Sequence, residues 1–233
     1  DFELNGLFRN ALACIFLPEE KLTVEAAFFS NNLNLNELLS ENENTSDTVY
    51  LLAFPNQVNF NLNGSVGNLS FRKFSATEFS GIVTISGKTF RSENIFFKTM
   101  EGTVGGNLEI DASSGNEILI SSNAVVKNID ISKLFFAFEN FGQSVITDRH
   151  LKGMSTADVR FAMKIDSTLH VDENKIFSHI DLTIDNGELI NFEPMNDISG
   201  YIKNHVFLKH LIKTDEFEKK LKHIRFSTLK NQI

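Results

Sequence analysis

The chain has 233 residues, a net charge of −8 and 42% hydrophobic residues, enough apolar material for one large all-β module or two ordinary domains. Its acidic balance, with no basic stripe and no aromatic RNA-binding signature, argues against nucleic acid as a partner. A single cysteine, Cys14, excludes an intramolecular disulfide framework and a Cys-based zinc site, and no stretch reaches the ~20 apolar residues that cross a bilayer as a helix.

In chain order, residues 2–16 and 21–31 read as two strands joined by a turn at Pro18-Glu19-Glu20. Cys14, set among Leu12, Ile15 and Phe16, reads as a buried small hydrophobe. The phrase Asn32-Leu33-Asn34-Leu35-Asn36-Glu37-Leu38-Leu39 follows, with Asn36 placed to cap a short helix. Ser40 to Asp47 is a polar loop, and Leu51 to Phe54 leads to Pro55. From Gln57 the alternation is clean: Val58, Phe60 and Leu62 face one way, Asn59, Asn61 and Asn63 the other. Phe79, Val83 and Ile85 repeat the pattern against Ser80, Thr84 and Ser86. Val104, Leu108 and Ile110 continue it, with Gly105-Gly106 reading as a bulge or bend. Residues 116–131 supply one or two further strands.

The earlier phrase then returns as Asn128-Ile129-Asp130-Ile131-Ser132-Lys133-Leu134-Phe135, and a strand-rich unit used twice is a way to lengthen a sheet. A helix is predicted over Ser132 to Phe141. Ser132 or Asp130 caps it, Leu134, Phe135, Phe138 and Phe141 form its stripe, and Gly142 closes it. From Thr156 to Ile165, Ala157, Val159, Phe161, Met163 and Ile165 oppose Asp158, Arg160 and Lys164. Ile176 to Ile184 and Glu188 to Phe192 read as strands separated by a turn at Asp185-Asn186-Gly187. Beyond Pro194 a short amphipathic helix carries Ile198, Tyr201 and Ile202, and a charged helix runs from Thr214 toward His223, acids first. No linker divides the chain, so residues 1–233 read as one continuous module. Its repeat units fall at about 32–111 and 128–193, with a helical segment at 194–223. Asp1 opens inside a strand pattern without an initiator Met or signal sequence, as a fragment of a longer protein would.

Each strand offers one apolar and one polar face. A second sheet packed on the apolar side would make a sandwich; a long curled sheet would leave that side lining a groove wide enough for a lipid chain. The 23 Phe against no Trp and 2 Tyr supply apolar area without a polar handle, although AT-rich codon usage produces the same bias.

Chemistry is sparse. His170 and His179 have no Cys or acidic pair at metal spacing, and His205 and His210 face different directions, so all four read as structural or solvent-exposed. Asp166, Asp172, Asp181 and Asp185 flank turns or polar faces without an acid–base pairing. Gly102, Gly105 and Gly106 lack the strand-to-helix setting of a phosphate loop. The sequence presents no enzyme, no cofactor and no metal site.

The segment from Asn128 to Pro194 resembles the C-terminal region of AsmA-like proteins. The likeness is carried by the phrase Asn128 to Phe135, by Phe141-Gly142-Gln143 with Leu151-Lys152-Gly153, and by Ile184-Asp185-Asn186-Gly187-Glu188-Leu189-Ile190-Asn191-Phe192-Glu193-Pro194. Ile224 to Leu229 resembles the strand that follows, and Asn34 to Ile110 is similar to the preceding repeat. The resemblance implies a Gram-negative envelope protein in the periplasm, tethered to the inner membrane by an N-terminal helix outside this segment. It also implies a β-groove related to bridge-like lipid transfer proteins, serving outer-membrane lipid homeostasis and assembly.

The reading is therefore a mainly β, extended curled antiparallel sheet of about eleven strands, tandem repeats with short helices, making a trough of roughly 50 Å at ~4.8 Å per strand. Its implied partners are phospholipid acyl chains, the membrane through parts outside this segment, and other envelope proteins. The alternatives are a non-transporting envelope scaffold or interaction module, and a surface adhesin or solenoid fragment. The groove-lining candidates, chosen from alternation, are Val58, Phe60, Leu62, Val83, Ile85, Leu108, Ile110, Val159, Phe161, Met163, Ile165, Ile180, Leu182 and Ile184.

Overall fold

The computed structural model describes residues 2–17, 20–39, 57–115, 117–166, 171–204 and 214–233. Among these residues ten strands form one sheet whose spatial order follows the chain. They are β1 (Phe2–Arg9), β2 (Leu22–Asn34), β3 (Val58–Phe71), β4 (Phe74–Ser86), β5 (Thr89–Thr99), β6 (Gly102–Asp111), β7 (Glu117–Asp130), β8 (Leu151–Asp166), β9 (Val171–Ile190) and β10 (His223–Gln232). Short helices accompany them: α1 (Ala11–Phe16), α2 (Leu35–Leu39), α3 (Ile131–Ala137), α4 (Glu193–Asn204) and α5 (Thr214–Leu221). All ten strands share this sheet, which does not close into a barrel, so no second sheet faces it among the described residues. The sandwich alternative does not hold for them.

The sheet is mixed, which corrects the antiparallel expectation: β2 and β3 run parallel, and every other neighbouring pair is antiparallel. Alternation is the same in both orientations, so the pattern of side chains does not reveal strand direction. The connection does, because parallel neighbours need a crossover of a dozen or more residues. Residues 35–57 supply it, and the predicted polar loop, Leu51 to Phe54 and Pro55 within it lie outside the described residues.

Other boundaries shift for local reasons. Ala11 to Phe16, read as strand, is the helix α1, and Cys14 on it is half-buried rather than buried. A run of Ala, Leu and Ile with no polar alternation fits helix as well as strand. β9 is unbroken where a turn was predicted; Asn186 has φ of 51° and sits at a register shift against β8. The same device recurs at Glu78 in β4, Asn94 in β5 and Asn128 in β7, each with positive φ at a register shift. An extra left-handed residue bends its strand and tightens the twist, and Asn tolerates that conformation better than most residues. The bulge expected at Gly105-Gly106 lies opposite instead, at Asn94. β6 is regular there, and Gly106 is required because a Cβ would overlap the carbonyl oxygen of Asn123.

The repeated phrase folds the same way twice at its centre. The strand ends at Asn34 and at Asp130, and α2 and α3 begin at Leu35 and Ile131. Asn34 Oδ1 accepts the amide of Asn36 at 3.1 Å, while Asp130 Oδ1 accepts that of Lys133 at 3.0 Å. The cap thus falls on Asn34 rather than Asn36, whose own Oδ1 accepts the amide of Arg72. Beyond the helix the copies part: the first leads to a parallel neighbour, the second to an antiparallel one.

Close packing is concentrated near one end of the strands. Ser30, Val66, Ala76, Thr99, Ile129, Ile131, Ser155 and Ala157 are buried. The hydroxyls of Thr99 and Ser155 donate to the carbonyls of Ser75 and Ile129, so these buried polar groups are satisfied. At this end the chain after α3 reaches back to β4, where Phe138 lies 5.9 Å from Phe74, itself 5.9 Å from Phe97. Phe141 stacks on Phe138 and meets Phe135 edge-on.

Candidate ligand-binding face

Residues directly opposite one another on paired strands project to the same side of a sheet. Following partners across the strands therefore maps each face. One row reads Phe8, Val24, Phe60, Ile85, Phe90, Ile110, Ile120, Met163, Ile176, from β1 to β9. Every member is apolar. The adjoining row reads Gly6, Ala26, Leu62, Val83, Ser92, Leu108, Ser122, Phe161, Ser178, with neither row holding an ionisable group. Val159 pairs with Ile180, Ala157 with Leu182 and Ser155 with Ile184, so the same side continues along β8 and β9.

All fourteen residues singled out by alternation fall on this one face. Phe60 is 37% exposed, and Val58, Leu62, Val83, Ile85, Leu108, Ile110, Val159, Phe161, Met163, Ile180 and Leu182 are half-buried. Ile165 and Ile184, at 6% and 7%, are buried against their neighbours and expose almost no surface. Alternation missed Phe90, Ile118 and Ile120 on the same side, and Leu4 and Phe8 on β1. The signal for Ile118 and Ile120 was their own spacing by two. For Phe90 it was the two-residue turn at Gly87 and Lys88, both with positive φ, as a tight hairpin demands.

The opposite face is laced with cross-strand charge pairs, among which Phe29, Phe96, Leu119, Val125 and Phe177 stand exposed. Arg91 meets Glu109 at 3.0 Å, and Lys98 meets Glu78 at 2.7 Å. Glu117 lies between Lys164 at 2.9 Å and Lys175 at 2.8 Å; hydrogen bonds from these two ammonium groups hold its carboxyl down to about 2. Solvent screens such exposed pairs, so they favour one register more than they add stability. A shallow depression of about 780 Å³ on this side is lined by Arg91, Glu93, Asn107, Glu109, Ser121 and Asn123 among others.

His179 lies 3.2 Å from Asp181 on the polar face, whereas His170, His205 and His210 lie outside the described residues. Among the described residues no three His, Cys, Asp or Glu side chains gather where they could hold a metal, and no helix is long and apolar enough to cross a membrane. The chain matches no family model, no curated protein and no solved structure.

Proposed function

We propose that the apolar face is a trough for phospholipid acyl chains and that the protein carries lipid along it between envelope membranes. The observation behind this reading is the unbroken apolar row from Phe8 to Ile176, lying on a sheet that no second sheet covers among the described residues. At ~4.8 Å per strand, nine strands give such a row a length of about 40 Å. Each buried methylene contributes ~0.8 kcal/mol, so an acyl chain of about sixteen carbons gains on the order of 10 kcal/mol at most on leaving water. A chain sliding along a row of near-uniform apolar side chains keeps its buried area almost constant. Escape is then costly while movement is cheap, and no reactive residue is needed.

The likeness of Asn128–Pro194 to AsmA-like proteins supports the same reading. It adds a periplasmic location, tethering to the inner membrane by a segment outside this chain, and a role in outer-membrane lipid homeostasis. The polar face then meets the aqueous periplasm, and its ion pairs keep the strands in register.

Neighbouring residues on opposite faces provide the test. A photoreactive amino acid at Ile110 should form lipid adducts on irradiation in cells, while one at Glu109 should form none. Phe161→Asp and Leu182→Asp should abolish the Ile110 adducts with the strand content unchanged by circular dichroism. Equal labelling at both positions, or adducts indifferent to these charges, would refute the trough and favour a scaffold.

A further inference from the structure

Among the described residues four polar side chains are buried: Ser30, Ser92, Thr99 and Ser155. Three of them donate their hydroxyl to a backbone carbonyl, Ser30 to Asn32 at 2.9 Å, Thr99 to Ser75 at 2.6 Å and Ser155 to Ile129 at 3.0 Å. Ser92 on β5 is only 5% exposed, and its hydroxyl has no hydrogen-bond partner among the described residues. A buried hydroxyl without a partner destabilises the fold that holds it, so its presence calls for an explanation.

The register shows where that hydroxyl stands. Ser92 lies opposite Val83 on β4 and Leu108 on β6, which places it on the apolar face. Two of its diagonal positions on that face, Gly81 and Gly106, carry no side chain. The extra residue at Asn94 moves the next apolar-face side chain of β5 on to Ile95. None of these neighbours offers a side-chain acceptor. Ser122, one strand beyond Leu108 on the same row, donates its own hydroxyl to the carbonyl of Asn107 at 2.9 Å. A water molecule needs two or more polar partners, and the surrounding side chains supply none. A phosphate or carboxylate is also the wrong partner. The two rows around Ser92 hold no ionisable group, so an anion there would be desolvated without a counter-ion.

We infer that Ser92 is a lipid-docking residue, donating a hydrogen bond to the ester carbonyl of an acyl chain lying across β5. Resting on the trough proposed above, this role adds the class of lipid it takes: ester-linked, rather than any hydrocarbon of suitable girth. A bare hydrocarbon leaves the hydroxyl unpaired, and an ether oxygen is a weaker acceptor than an ester carbonyl. The carbonyl is neutral, so it enters an apolar trough at lower cost than a charged headgroup does.

Competition between two lipids tests this role. The 233-residue chain is incubated with vesicles holding equal amounts of ester-linked and ether-linked phosphatidylcholine of one chain length. Native mass spectrometry then reads the ratio bound. Wild type should favour the ester lipid about fivefold, the effect of one ordinary hydrogen bond, and Ser92→Ala should bind the two equally. The carbonyl stretch of bound ester lipid should lie at lower wavenumber in wild type than in Ser92→Ala. Without lipid, Ser92→Ala should melt no lower than wild type, because it removes a hydroxyl that nothing in the fold pairs. Equal uptake of both lipids by wild type, or one ratio shared by wild type and Ser92→Ala, would overturn the role of Ser92 and leave the trough standing. Uptake of neither lipid would overturn both. A lipid-free Ser92→Ala chain that melts lower would overturn the role as well, since the hydroxyl would then have a partner within the fold.

Discussion

Single residues set the geometry of this sheet more than its composition does. Glu117 shows how an exposed carboxylate is drawn into that role, since Lys164 and Lys175 reach it from the two strands that follow in space. Its carboxyl falls from an ordinary 4.5 to about 2 through hydrogen bonds from Lys175 and then Lys164. A depressed folded-state value means that the favourable contribution is complete above the ordinary carboxylate range and disappears as pH falls from 4.5 through about 2. Carbon-detected NMR should therefore show Glu117 titrating near the bottom of that window. The Lys164→Ala, Lys175→Ala double variant should return its midpoint toward 4.5, and an unchanged midpoint would show that the ammonium groups do not hold it.

At the scale of the element, four strands bend at one left-handed residue each, and three of those residues are Asn: Asn94, Asn128 and Asn186. A β-branched side chain in that conformation costs about 1–2 kcal/mol. Asn128→Val should lower the melting temperature by about 4 °C in a chain of this length, and Asn128→Gly should leave it closer to wild type. Equal melting of the Val and wild-type proteins in differential scanning calorimetry would place the bulge elsewhere.

The apolar face was readable from sequence because the period of two is imposed by the pleat itself. Val58, Phe60 and Leu62, or Val159, Phe161 and Met163, could not have fallen on different sides without a bulge between them. The bulges themselves were not readable. Asp185-Asn186-Gly187 has the composition of a hairpin turn, and only the continued pairing of β8 with β9 on both sides makes it a bend within one strand. The parallel entry of β3 was hidden for a similar reason, since residue alternation is indifferent to direction. α1 escaped because six consecutive residues of similar character carry no period. The repeated phrase did predict a strand giving way to a short helix at both sites, since an Asn or Asp cap followed by bulky residues is a purely local signal.

For the whole molecule, the unusual property is an apolar surface that spans nine strands, with most of its buried residues toward one end and the buried pair Ile118 and Ile165 at the other. The aromatic contacts among Phe74, Phe97, Phe138 and Phe141 cover the first end, and the row through Phe60, Ile85 and Ile110 lies beyond them. An exposed apolar area of this extent would be an aggregation hazard unless something covers it, and on our reading hydrocarbon does so. Native mass spectrometry of the protein purified from cells without added detergent tests this most directly. We predict adducts with the mass of phospholipid on the wild-type chain and their loss in the Phe161→Asp, Leu182→Asp variant. A wild-type protein that flies at its bare polypeptide mass, with no lipid-bearing species, would contradict the account.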